Sequence, residues 1–149
     1  IKGDYKKINL YGDKVTPGNK VRVFMTDFAK IGIAICWDLT YPGLFAEMRK
    51  KGAEIVFCPA MWNYDLPSHD KNHKKREIEL LRAMTLARAH ENVFYVALCN
   101  PLMESKTQFS YSAIASPHRI LKELIDKEGI ITAQVNITEI KRFRKYYLK

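Results

Sequence analysis

Apolar positions along the chain fall into short continuous runs separated by turn-forming residues, the pattern of strands buried on both faces and not of a two-sided surface sheet. Residues 21–25 open with Val21, Val23, Phe24 and Met25 and predict a strand. A turn over residues 26–30 leads into Ile31-Gly32-Ile33-Ala34-Ile35-Cys36, a near-continuous apolar run that predicts a second, fully buried strand. Pro42 stands where a first helical turn tolerates proline, Leu44, Phe45 and Met48 supply a helical stripe, and Gly52 offers a stop. Residues 54–59 read as another buried strand closed by Pro59. Residues 31–59 are therefore a strand–helix–strand unit.

A polar loop over residues 63–72 precedes a long helix, about residues 73–91, whose inner face runs through Ile78, Leu81, Met84 or Thr85, and Arg88. Residues 93–98 form a third buried strand. Beyond a loop at residues 101–106 the runs shorten, predicting strands near 111–115, 119–123 and 130–135, the last two separated by a turn at Lys127-Glu128-Gly129. No repeat, low-complexity tract or linker interrupts the chain, so residues 1–149 read as one continuous α/β unit.

Composition narrows the class without deciding it. The 149 residues, 47% of them hydrophobic and 28% charged, suffice for a real core. No apolar run approaches the roughly 18 residues of a membrane span, and none at the start resembles a secretory signal. The three cysteines, Cys36, Cys58 and Cys99, are odd in number and widely spaced, which fits neither a disulfide framework nor a zinc site. A reducing, cytoplasmic setting is expected. The net charge of +9 is spread over Lys6-Lys7, Lys50-Lys51, the 71–76 run and the 141–149 tail. That dispersion reads as a solvated basic surface, with no nucleic acid and no membrane expected as partner. His69, His73 and Glu77 recur every four residues, a spacing that could hold zinc, but the lysines around them make a poor setting for a cation and no metal is expected.

Candidate chemistry centres on Cys36. It closes a buried strand immediately before a turn into a helix, where side chains project beyond the sheet edge and ligands collect in open α/β folds. A nucleophile on such a turn is exposed at its tip, with nearby backbone N–H groups able to hold an oxyanion. Position alone does not decide the matter, since a cysteine closing a buried strand is more often an inert small hydrophobe. Cys58 and Cys99, each within a buried strand, are assigned to packing.

The flanking residues add specificity. Gly32-Ile33-Ala34-Ile35-Cys36-Trp37-Asp38-Leu39-Thr40-Tyr41-Pro42, with Arg49, the Gly52-Ala53 helix end and Pro59-Ala60 beyond the next strand, resembles the nucleophile block of the nitrilase superfamily of carbon–nitrogen hydrolases. Upstream, Tyr5-Lys6-Lys7-Ile8-Asn9-Leu10-Tyr11 resembles that family's lysine motif, and Thr16-Pro17-Gly18-Asn19 the turn that follows it. Downstream, Ala87-Arg88-Ala89-His90-Glu91-Asn92 is similar to the family's Arg-Ala-x-Glu-Asn helix end. The three blocks come in the family's order and span nearly the whole chain.

The resemblance implies a four-layer α-β-β-α sandwich of which this chain supplies about the C-terminal half. It also implies hydrolysis of a non-peptide C–N bond, in an amide or carbamoyl group before a nitrile, with no metal or organic cofactor. Cys36 would attack the substrate carbon to give a thioester-type intermediate, with Lys7 and the Trp37 N–H holding the oxyanion. Tyr41 and Trp62 would wall the pocket, although aromatics at such places are as often core. The family's general-base glutamate precedes the lysine motif, and only six residues stand before Lys7. With Ile1 in place of an initiator Met, the chain is expected to be part of a longer protein and inactive by itself. Asp13 is the only acid where the family often carries a second glutamate, Gly43 replaces the Glu after the aromatic-Pro pair, and His118 stands at a usual turn glycine. A small amide-type substrate and a homo-oligomer are the expected partners. The competing reading is a non-catalytic basic binding or oligomerisation module, built on the 71–76 run and the aromatic-rich basic tail.

Overall fold

A computed structural model describes residues 3–12, 14–63, 71–102 and 109–148. Six strands form one sheet in the order of the sequence. They are β1 (Val23–Met25), β2 (Lys30–Ile33), β3 (Ile55–Pro59), β4 (Tyr95–Asn100), β5 (Tyr111–Ala115) and β6 (Ile120–Ile125). The central strands β2, β3 and β4 run parallel, while β1, β5 and β6 join antiparallel at the two sides. Helix α1 (Pro42–Lys50) carries the chain from β2 to β3, and α2 (Lys71–Asn92) carries it from β3 to β4. Because the strand order advances in one direction, two right-handed crossovers place both helices on the same face of the sheet. The two helices touch each other there. A third helix, α3 (Ile137–Tyr147), closes the chain.

The alternation of each strand divides its residues between two faces. Val56, Cys58, Val96, Leu98, Ala113 and Ala115 point toward α1 and α2 and meet Leu39, Phe45, Met48 and Leu81 in the main core. Gly32 has a steric task in that layer: a Cβ there would meet Met48 Sδ at 2.8 Å and Val56 Cγ2 at 3.2 Å, so only glycine lets α1 sit this close to β2. On the opposite face Ile55 and Tyr95 pack with Ala29 and with Ile140 of α3 in a smaller cluster. The rest of that face, including Phe57, Ala97, Cys99, Ile114 and Leu124, lines an open apolar trough of about 540 Å³. The sheet with α1 and α2 thus supplies two of the four layers of an α-β-β-α sandwich, while α3 packs on part of the sheet's other face. No helix among the described residues is long and apolar enough to cross a membrane.

The predicted strand at residues 130–135 is not formed. Those residues continue past β6 without pairing, and Ile130 is 93% exposed. Helix α3 was hidden by the basic residues of the tail. Its start is nonetheless marked by Asn136, whose side chain accepts from the Glu139 N–H at 3.1 Å, an N-cap. Within it Arg144 donates to the Ala53 and Val93 carbonyls, so part of the tail's charge serves to seat the helix.

Candidate active site

Strand β2 ends at Ile33, and the chain turns through Ala34 and Ile35 into a single 3-10 turn, Cys36–Thr40, before α1 begins at Pro42. Cys36 heads this turn with φ of 51°, a left-handed conformation that a side-chain-bearing residue adopts at a cost of about 1 kcal/mol. That backbone swings the thiol off the line of the strand and leaves it half-buried. Ala34 N–H still bonds to Phe57 O at 3.0 Å, so the sheet holds the chain up to two residues before the turn. Cys58, on the adjacent strand, lies beneath Cys36. Burial, with Cys36 nearby, pushes the Cys58 thiol up to about 12. Cys58 is consequently a neutral packing group at ordinary pH, as the sequence suggested.

The most constrained group of the site is Asp38, to which the sequence pattern alone assigns no task. Its carboxylate is fully buried and accepts four hydrogen bonds. Oδ1 takes the Asn9 backbone N–H at 2.8 Å and the Asn9 side-chain amide at 2.9 Å. Oδ2 takes the Tyr5 hydroxyl at 2.9 Å and the Ile35 N–H at 3.0 Å. Burial, then the adjoining carboxylate, raises the Tyr5 phenol well above its usual range, which keeps it a donor. Lys7 lies midway between the two residues so held. Its carbonyl accepts from Gly18 N–H at 2.7 Å, and a Cβ on Gly18 would be driven into the Lys6 carbonyl oxygen. The Pro17-Gly18 turn therefore straps the lysine segment from its other side.

Aromatic rings continue the site. Trp37 packs between Tyr11, at 4.6 Å, and Trp62, at 5.1 Å between ring centroids, with both pairs of rings tilted. Trp62 is nearly buried, with its indole N–H on Glu77 at 2.9 Å and its backbone N–H on Asn100 Oδ1 at 2.6 Å. Asn100, fully buried, returns its amide to Phe109 O at 2.8 Å and Trp62 O at 3.3 Å. Tyr41 stands at the N-cap position of α1 without a side-chain capping bond and is exposed. From behind, Arg88 of α2 donates to Leu39 O at 3.0 Å and lies over the Phe45 ring, while Asn92 donates to Arg88 O at 2.9 Å. The helix-end motif is thus a brace for the cysteine turn.

The structure accordingly brings Cys36, Trp37 and Trp62 together and ties the Lys7 segment to the same turn. Asp13 and His69 lie outside the described residues. His73 pairs with Glu77 at 3.5 Å.

These features define an α/β protein bearing a cysteine on a strained strand-to-helix turn. The chain belongs to the carbon–nitrogen hydrolase family, whose model matches residues 2–145. It is 28% identical to omega-amidase NIT2 of Xenopus tropicalis, over 89% of this chain and 46% of that protein, and 28% identical to omega-amidase NIT3 of Saccharomyces cerevisiae, over 89% and 44%. Among solved structures, a carbon–nitrogen hydrolase from Helicobacter pylori G27 superposes with a TM-score of 0.90 at 25% identity, covering 99% of this chain and 57% of that one. An amidase from Nesterenkonia sp. AN1, in a mutant form carrying the acetamide moiety of fluoroacetamide on its active-site cysteine, shares the fold with a TM-score of 0.73 at 21% identity, over 97% and 54%. The chain spans about half the length of these relatives.

Proposed function

We propose that the protein containing this chain hydrolyses a small, non-peptide amide or carbamoyl C–N bond, with Cys36 as nucleophile. The observation that carries this reading is the left-handed backbone at Cys36, which holds a half-buried thiol at a strand tip inside a carbon–nitrogen hydrolase match. The thiolate adds to the carbonyl carbon, and the developing oxyanion is held by the Lys7 ammonium and the Trp37 N–H. The C–N bond then breaks, the amine leaves with a proton, and water attacks the thioester to release the acid and regenerate the thiol. The proton carrier is a glutamate expected outside these 149 residues, with Asp13 a candidate second acid. Trp62 and Tyr41 wall the pocket. The omega-amidase relatives favour a terminal carboxamide over a nitrile, and a homo-oligomer in the cytoplasm is the expected working form.

The test is incubation of the complete polypeptide with short terminal amides, followed by ammonia release and intact mass. Turnover that disappears in Cys36→Ala, together with an acyl adduct on the Cys36 peptide, is the expected result. Turnover that survives Cys36→Ala sinks the assignment. The isolated 149-residue chain is expected to release no ammonia, and any measurable release would remove the need for a glutamate from elsewhere.

A further inference from the structure

We infer that Asp38 is a positioning residue: its four-donor clamp fixes the Lys7 segment against the Cys36 turn, so that the two functional groups meet in register. The inference rests on the hydrolase reading above and deepens it. Lys7 and Cys36 are separated by 28 intervening residues, residues 8–35, and nothing in local sequence brings them together. Asp38 spans that gap. One donor, the Ile35 N–H, belongs to the cysteine turn; the other three, Tyr5 Oη, Asn9 N and Asn9 Nδ2, belong to the lysine segment and bracket Lys7 two residues away on each side. The carboxylate therefore acts as the hinge pin between the two segments.

The chemistry requires a carboxylate and not merely a polar side chain. Each oxygen of Asp38 takes two donors. An asparagine has one oxygen, and its amide group would confront the other two donors with N–H groups of its own in a site closed to water. Whichever way that amide turned, one side of the clamp would open. If Oδ1 is lost, Asn9 is released and only the Tyr5 arm of the clamp still holds the lysine segment. If Oδ2 is lost, Tyr5 and the head of the cysteine turn are released together. A lysine displaced by about 1 Å loses most of its effect on a developing oxyanion.

The experiment uses the complete polypeptide and two readouts. The first is kcat and KM on a terminal amide; the second is the pH profile of Cys36 alkylation by iodoacetamide, which needs no turnover. Asp38→Asn should lower kcat by about 100-fold with KM changed less than about threefold, and should slow Cys36 alkylation at a fixed pH. Tyr5→Phe, which removes one donor of four and preserves the ring, should give a smaller loss of about three- to tenfold in kcat. The decisive arm combines each change with Lys7→Met. If Asp38 acts by placing Lys7, Tyr5→Phe, which leaves the Ile35 N–H bond to Asp38 in place, slows the Lys7→Met enzyme by no more than about twofold, and Asp38→Asn slows it by less than its full effect in the wild type. Full multiplication of the effects, or a Tyr5→Phe enzyme with unaltered kcat and alkylation profile, overturns the inference. Should Asp38→Asn fail to fold, the Tyr5→Phe and Lys7→Met cycle decides alone. If no amide is turned over, the hydrolase reading falls, while the alkylation cycle still reports on the clamp.

Discussion

Replacing Asn100 by leucine tests whether the wall of the site is built on one buried amide. The two side chains have similar shape, so packing is nearly conserved and the change isolates hydrogen bonding. Asn100 closes β4 and ties three segments: its Oδ1 accepts from Trp62 N–H, and its Nδ2 serves the Phe109 and Trp62 carbonyls. Leucine leaves the Trp62 donor unpaired in a site shut off from water, at about 1–3 kcal/mol, and deprives two carbonyls of a partner at the lower end of that range. A total of about 3–5 kcal/mol follows, enough to lower the urea midpoint of the complete protein by about 1 to 2 M. Fluorescence is a natural probe, because Trp62 lies 5.1 Å from the Trp37 ring and its own backbone N–H is the donor left unpaired. Asn100→Asp sharpens the test. It keeps an acceptor for Trp62 N–H but turns an oxygen toward two carbonyl oxygens, so at neutral pH it should be at least as damaging. A loss below about 1 kcal/mol in both variants would show that the loop carrying Trp62 is held by something other than this amide.

Three further outcomes follow from the geometry. Both Cys58 and Tyr111 are raised to about 12 by burial, so their neutral forms are favoured by folding; that stability is fully present below pH 9, and is lost as pH climbs toward 12. Thermal melts should therefore fall across that window, and Cys58→Ala should start lower but decline less steeply; an unchanged slope would show that the thiol does not contribute. Gly18→Ala pushes the Pro17-Gly18 turn off Lys6 and breaks the bond to the Lys7 carbonyl, which should cost about 1–3 kcal/mol and reduce kcat at least tenfold; wild-type kinetics would show that the strap does not position the lysine. At Cys36 the usual preference for alanine over glycine should reverse, with Cys36→Gly more stable than Cys36→Ala by about 1 kcal/mol in urea, since only glycine adopts the left-handed backbone freely; alanine matching glycine would mean the turn carries no strain.

Much of the sheet was legible because β2, β3 and β4 are apolar on both faces and leave continuous apolar runs, although only the face under α1 and α2 is covered throughout and Phe57 and Cys99 are exposed on the other. The same logic misled at residues 130–135. Ile130 and Ile131 are as apolar as a strand requires, yet they border the open trough opposite the helices, and β6 already ends the sheet. An apolar run reports that a surface needs covering; it does not say whether the cover is the next strand or another layer. In α3 the opposite happened. Ile137 and Ile140 form the buried stripe, but Lys141, Arg142, Arg144 and Lys145 make the segment look like a solvated tail, although Asn136 and Glu139 had the spacing of a helix cap.

The candidate site divides along the same line between local and distant information. Cys36 could be singled out because strand, turn and helix follow one another in sequence. The task of Asp38 could not, because its donors come from residues 5 and 9, and only folding shows that they converge on it. Convergence of this kind also explains why a left-handed cysteine can persist. The strain of about 1 kcal/mol at φ of 51° is held by Ile35 N–H on Asp38, by the Ala34–Phe57 bond before the turn, and by Arg88 on the Leu39 carbonyl after it. Each of these braces comes from a different segment, and none touches the thiol. The half-buried sulfur thus sits on a turn held by Asp38 and Arg88 and not by the cysteine side chain, an arrangement that demands fixed identities at Asp38 and Arg88 while leaving Cys36 for chemistry.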